Sequence, residues 1–278
     1  MSAVTTESTR HTEQGLDHSS GSYYTFLGDD AYEPTSHALG VWNPREQHMG
    51  PVSGLLAHAI DGHQPREDMQ LARITYEILG LIPAEPSEVS VQTVRPGRTI
   101  ELVEATLVAG GRPVVRATAW RLARQETAAV AGGGAGPLPA PESMPAWKGG
   151  EVWGGGFISS LEGRVATSNE PGRGQAWLRT GTALVAGADS SPTAAFLGLV
   201  DTANGIAVRQ APGEWMFPNV DLTVHLFREP AGPWVGFDTQ VVFGANGVGL
   251  TSSTLHDADG PVGRSEQILT VRRLAPNG

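Results

Sequence analysis

Apolar and polar residues alternate along Asp221-Leu222-Thr223-Val224-His225-Leu226. The period of two predicts a strand, with Leu222, Val224 and Leu226 on one face and Asp221, Thr223 and His225 on the other. A different period occurs earlier. Val52, Leu55, Leu56, Ala59 and Ile60 recur at helical spacing and predict a helix near 50–62. A second helix is predicted near 192–209, with Pro192 in its first turn and Phe196, Leu199, Val200, Ala203 and Ala207 as its apolar stripe.

The elements around these helices come in the same order twice. Before the first helix lie short β-like pieces at 22–26 and 37–42, and after it strand signals at 71–79, 88–94, 99–108 and 113–122. Before the second lie pieces at 156–167 and 175–180, and after it strands at 219–228, 234–243, 248–256 and 262–273. Ala109-Gly110-Gly111-Arg112, Gly244-Ala245-Asn246-Gly247 and Asp257-Ala258-Asp259-Gly260 read as the turns between strands. Asp257 and Asp259 lack the further oxygen ligands of a calcium loop.

Between the repeats, 126–150 is rich in glycine and then proline, a linker composition. No Gly-Lys-Ser/Thr follows the glycines, so a phosphate loop is not indicated. The expected organisation is a disordered tail at 1–20, an N-terminal unit at 21–125, the linker, and a C-terminal unit at 151–278. A helix followed by an antiparallel meander, done twice, predicts an α+β protein. Each of two antiparallel sheets would wrap around its own central helix, a tandem called a double hotdog.

Composition narrows the chemistry. The formal charge is −10, with 19 Lys+Arg against 29 Asp+Glu. That balance argues against nucleic acid as a partner and against anionic membranes. With no cysteine, disulfides, thiolate nucleophiles and Cys-based zinc sites are excluded. His-Glu-x-x-His is absent, and so is the Gly-x-Ser-x-Gly elbow of α/β-hydrolases. No apolar run reaches ~18 residues, so no membrane insertion is expected, and the N-terminus lacks a signal-like apolar region. The expectation is a cytoplasmic protein. Asp221 and His225 resemble a dyad, but four residues on one strand face place them about 13 Å apart, too far to bond.

Three segments carry a family resemblance. They are Gln47-His48-Met49-Gly50-Pro51 before the first helix, Val94-Arg95-Pro96-Gly97-Arg98, and Asp221 to His225 with Gly263-Arg264-Ser265-Glu266-Gln267 beyond it. In these the chain resembles the double-hotdog acyl-CoA thioesterases, of the TesB-like type, over roughly 21–275. The resemblance implies an enzyme of fatty acid metabolism that hydrolyses an acyl-CoA thioester with activated water, with neither metal nor cofactor. It places the catalytic Asp on Asp201, the Gln on Gln267 and the family's Ser/Thr hydroxyl on Asn219, which departs from the pattern. Thr223 is the second candidate for that role. It places substrate binding at His48, Met49 and Gly50, with Met49 standing where the family has glycine.

Physical chemistry points the same way. A carboxylate on a helix flank, partly desolvated, has its pKa raised towards use as a base. The first helix offers free N–H groups and a positive dipole end at Met49 and Gly50 to polarise a carbonyl, and Gly50 would let substrate approach closely. Arg73, Arg95 and Arg228 are available for the CoA phosphates. Two other readings stand beside this one. A hotdog hydratase or dehydratase needs His five residues after the Asp, and that position is Ile206. A non-catalytic acyl-CoA or acyl-carrier binding protein would account for Asn219 and Met49. Exposed sheet edges leave room for a homodimer.

Overall fold

The structure, a computed structural model, describes residues 21–43 and 45–274. The expected disordered tail at 1–20 lies outside the described residues. The first half runs β1 (Ser22–Gly28), β2 (Ala31–Pro34), α1 (Met49–Gly62), β3 (Met69–Ile78), β4 (Ser87–Arg95), β5 (Ile100–Ala109) and β6 (Arg112–Ala123). The second half begins with two single helical turns, α2 (Gly149–Val152) and α3 (Gly156–Ser159). It continues through β7 (Leu161–Val165), β8 (Arg173–Thr180), β9 (Ala183–Val185), α4 (Pro192–Val200) and α5 (Ala203–Ile206). After the short β10 (Trp215–Met216) come β11 (Asp221–Leu226), β12 (Val235–Phe243), β13 (Val248–Asp257) and β14 (Gly260–Thr270), then β15 (Arg272–Arg273).

The α+β content and the repeated order match the reading from sequence, but the sheet differs. Instead of two separate sheets there is one of 13 strands, ordered β7-β8-β12-β13-β14-β11-β3-β6-β5-β4-β2-β1-β9. The halves join where β11 pairs antiparallel with β3, through Leu222 opposite Tyr76 and Thr223 opposite Thr75. β11 keeps its predicted alternation: Leu222 and Val224 are fully buried while His225 is exposed.

Two helices fill the concave side. α1 is buried on nearly every face, with Val52, Leu55, Leu56 and Ile60 all inaccessible, as expected of a helix enclosed by a sheet. α4 packs directly on it. Gly54 and Gly198 face each other closely, and a Cβ on Gly54 would stand 3.0 Å from the Gly198 Cα. Ser53 Oγ donates to the Leu197 carbonyl at 2.8 Å and ties the two helices together. The start of α1 lies at the end of α4, and the end of α1 at the start of α4: His48 approaches Asp201, while Ser191 donates to Asp61. The helices are therefore antiparallel, and the crevice between them has two ends.

Three local expectations change. Residues 37–42 are not a strand; Thr35 caps a 3-10 turn at Ser36–Ala38 through its side chain. Part of 156–167 is the helical turn α3. The helix expected over 192–209 ends at Val200, and Asp201 and Thr202 turn the chain before α5. The Gly/Pro-rich segment lies along the second half's sheet: Trp177 donates to the Pro139 carbonyl at 2.8 Å, and Pro141 and Met144 are buried. The expected turns form, with Gly110, Gly111, Gly247 and Gly260 all at positive φ.

Candidate active site

Asp201 caps the C-terminus of α4 and is 6% exposed. Thr202 Oγ1 takes the Leu199 carbonyl at 2.5 Å, which helps to close the helix there. Asn219, just before β11, donates from Nδ2 to Asp201 Oδ1 at 2.8 Å and to the Asp221 carbonyl at 3.0 Å. Gln267, on β14, donates from Nε2 to the same carboxylate oxygen at 3.0 Å. The three residues assigned to catalysis from sequence are thus one hydrogen-bonded cluster. The acceptor orients both amides, because only their NH2 ends can serve an ionised Oδ1. Asn219 keeps its carbonyl oxygen free to accept a hydrogen bond. Thr223, the alternative for the hydroxyl role, donates instead to Thr75 at the sheet seam, 3.2 Å away.

The second carboxylate oxygen faces the first half. His48 Nδ1 stands 3.4 Å from Asp201 Oδ2. The same Nδ1 accepts the Gly50 N–H at 2.9 Å as the N-cap of α1. A nitrogen that accepts a hydrogen bond carries no proton, so the contact is not an ion pair and the ring proton sits on Nε2. Burial lowers the His48 pKa against the opposing pull of Asp201, which agrees with a neutral ring. Phe157 packs on the imidazole at 4.4 Å between centroids and holds its plane. Burial also raises the Asp201 pKa, opposed by His48, Asn219 and Gln267.

These groups border a cavity of about 380 Å³. His48, Met49, Asp201 and Asn219 line it, as do Trp42, Trp147 and Trp153. Gln267, 1% exposed, braces Asp201 from behind. Gly50 has a different place from the expected one. Its N–H is taken by His48, and a Cβ there would meet Phe157 Cζ at 2.6 Å and the Gly198 carbonyl at 2.9 Å. It packs between the helices. Pro51 has no N–H, so Met49 N–H is the first-turn donor left without a partner among the described residues.

The arginines proposed for CoA lie elsewhere. Arg228 holds Asp257 with two 2.5 Å contacts, Arg95 donates to the Ile100 carbonyl, and Arg73 pairs with His225 across the seam. Asp221 accepts the Ile268 N–H at 2.6 Å, and His225 is exposed, so both are parts of the sheet. Sequence reasoning missed the tryptophans. Their numbers, 42, 147 and 153, share no local period, and only the fold brings them to one wall.

The family model of the acyl-CoA thioesterase N-terminal domain matches residues 39–122, and that of the acyl-CoA thioesterase C-terminal domain matches 137–271. The chain belongs to the acyl-CoA thioesterase family. Membership makes it a thioester hydrolase. Solved structures agree on the fold. A protein of unknown function with a hot dog fold from Alicyclobacillus acidocaldarius is 16% identical, with a TM-score of 0.69 over 91% of this chain and 96% of the other. Acyl-CoA thioesterase II TesB2 from Mycobacterium marinum is 15% identical, with a TM-score of 0.64 over 92% and 96%. A TesB protein from Mycobacterium avium subs. paratuberculosis is 16% identical, with a TM-score of 0.65 over 90% and 96%. No curated protein matches the chain. Among the described residues no helix is long and apolar enough to cross a membrane.

Proposed function

We propose that this member of the family hydrolyses acyl-CoA thioesters by direct attack of a water that Asp201 deprotonates, with no metal in the step. One observation carries the reading. A buried carboxylate has one oxygen fixed by two amide donors, Asn219 and Gln267, and borders an apolar cavity beside the start of α1. Such a donor set aims the carboxylate at a neutral proton donor such as water.

The water oxygen attacks the thioester carbonyl carbon, and its proton passes to Asp201. Asn219 Oδ1 accepts the water's other hydrogen. The carbonyl oxygen gains charge and meets two donors, Met49 N–H and His48 Nε2–H. Preorganised donors of this kind contribute about 10²–10³-fold each. The tetrahedral intermediate collapses, the C–S bond breaks, and the CoA thiolate takes the proton from Asp201. A neutral His48 suits the task, because an imidazolium would hold Asp201 ionised and blunt it as a base.

Thiol release from a panel of acyl-CoAs tests this, with wild type, Asp201→Asn and Gln267→Ala compared. The expected result is turnover in wild type and a loss of about a hundredfold or more in Asp201→Asn. Saturable acyl-CoA binding without thiol release would mark a binding protein. Water addition to an enoyl-CoA would mark a hydratase.

A further inference from the structure

One wall of the cavity is aromatic. Trp42 meets Trp153 edge to face, with centroids 5.5 Å apart and planes at 81°. Both then rest on Phe217, also edge to face, at 5.7 Å and 6.0 Å. Phe243 backs Phe217 at 5.7 Å. Phe217 is 1% exposed and Trp153 8%, whereas Trp42 is 36% exposed and forms the rim.

The wall is anchored as well as packed. Trp153 Nε1 donates to the Gly205 carbonyl at 3.4 Å, and a Cβ on Gly205 would sit 3.3 Å from that nitrogen. Each edge-to-face pair stabilises beyond the area it buries, so swinging one ring away breaks several contacts at once. The wall is thus a fixed surface. An extended alkyl chain needs either length beyond this wall or rings that move. A flat ring needs neither, and indole faces and edges set at right angles offer it complementary contacts.

We infer that the cavity selects a compact, ring-bearing acyl group, an aryl-type acyl-CoA, over long-chain acyl-CoA, with Trp153 and Trp42 as the specificity-determining residues. This deepens the proposed hydrolysis and rests on that reading only for where the thioester lies. Trp147 completes the lining from the same lead-in segment as Trp153. Selectivity is therefore supplied by Trp42 of the first half together with the segment that leads into the second, and the carboxylate by the end of α4.

The test separates selection from hydrolysis. In the Asp201→Asn protein, tryptophan fluorescence quenching measures binding of phenylacetyl-CoA, dodecanoyl-CoA and free CoA. The expected order is phenylacetyl-CoA tighter than dodecanoyl-CoA by about tenfold or more, a range typical of pocket discrimination. In wild type the kcat/KM ratio of the two substrates should show the same preference. Trp153→Ala should cut that ratio by about tenfold, chiefly by raising the dodecanoyl value, while Trp153→Phe keeps most of it. Thermal melting checks that both variants fold. Tighter binding of dodecanoyl-CoA, or a ratio unchanged in folded Trp153→Ala and Trp42→Ala alike, overturns the inference. If aryl selectivity persists in binding while wild type releases no thiol, the hydrolytic reading fails and the pocket assignment stands.

Discussion

The crevice between α1 and α4 has two ends, and they have been put to different uses. At one end Asp201 meets Asn219, Gln267 and His48 beside the large aromatic cavity. At the other end a smaller cavity of about 180 Å³ is lined by Asp61, Arg121, Ser191 and Thr193. The Gly54–Gly198 contact and the Thr75–Thr223 pair relate the two halves. Three residues past Gly198 stands Asp201; three past Gly54 stands Ala57. Asn219 lies four before Thr223, and Leu71 four before Thr75. Thr223 pairs with Glu266, one before Gln267, and Thr75 pairs with Thr118, one before Ala119. The second end has the same scaffold with Ala, Leu and Ala where the first has acid and amides. Its polar groups are spent on structure. Arg121 donates to the Ile60 carbonyl in the last turn of α1, to the His63 and Gln64 carbonyls just beyond it, and to Glu101 at 3.1 Å. Ser191 caps α4 while donating to Asp61. Position in a hotdog scaffold therefore offers a site, and the side chains decide whether chemistry occurs there.

The largest expected effect tests the structural end. Arg121→Met strands the buried Glu101 and uncaps α1, and should destabilise the fold by ~3–5 kcal/mol in chemical denaturation. The remaining folded protein should keep its kcat. A kcat loss in the folded fraction would mean the two ends are not separate in function. Next comes the paired comparison of acids. Asp201→Asn should cost about a hundredfold in kcat, near ~2.7 kcal/mol of barrier, whereas Asp61→Asn should stay within about twofold. Equal losses would erase the distinction drawn here.

Gly54→Ala acts between the ends. Its Cβ would meet Gly198 Cα and Leu184 Cδ1 at 3.0 Å, so overpacking should cost ~1–3 kcal/mol, read as a lower melting temperature. Asn219→Ser restores the hydroxyl of the family pattern and should hold kcat within about tenfold, because serine can still donate to Asp201. A collapse as deep as that of Asp201→Asn would show that the amide's second bond, to Asp221, is indispensable. The smallest effect is in pH. Burial raises the folded pKa of Asp201, so its contribution to stability is present below the ordinary carboxylate pKa and lost as pH rises through the raised value. Asp201→Asn should therefore melt slightly above wild type at neutral pH, with the gap closing on acidification. The acid limb of wild-type kcat should be displaced upwards from an ordinary carboxylate for the same reason.

Much of this was legible in the residues themselves. The apolar stripe from Val52 to Ile60 placed α1, and the glycine-bearing stretches placed the hairpin turns. The residues assigned to catalysis do converge in space. The end of α4 was not legible, because Ala203 and Ala207 continue its apolar stripe. The chain turns at Asp201 because Asn219 and Gln267 bind that carboxylate and Thr202 takes the Leu199 carbonyl. The single sheet was hidden for a related reason. Alternation on β3 and β11 says which face is buried and nothing about which strand lies alongside. Gly50 misled because a helix-start glycine serves substrate approach and helix packing with the same sequence signal.

The sheet ends in short strands. One border is β7, five residues long; the other is β9, three residues of the second half laid parallel along β1. By lending Ala183–Val185 to its neighbour, the second half blocks the longer border of the first. A row of free backbone groups invites unrelated chains to add on, and here that row is interrupted from within the same molecule. Strand addition to this sheet is thereby confined to β7 and to the part of β1 that β9 leaves uncovered.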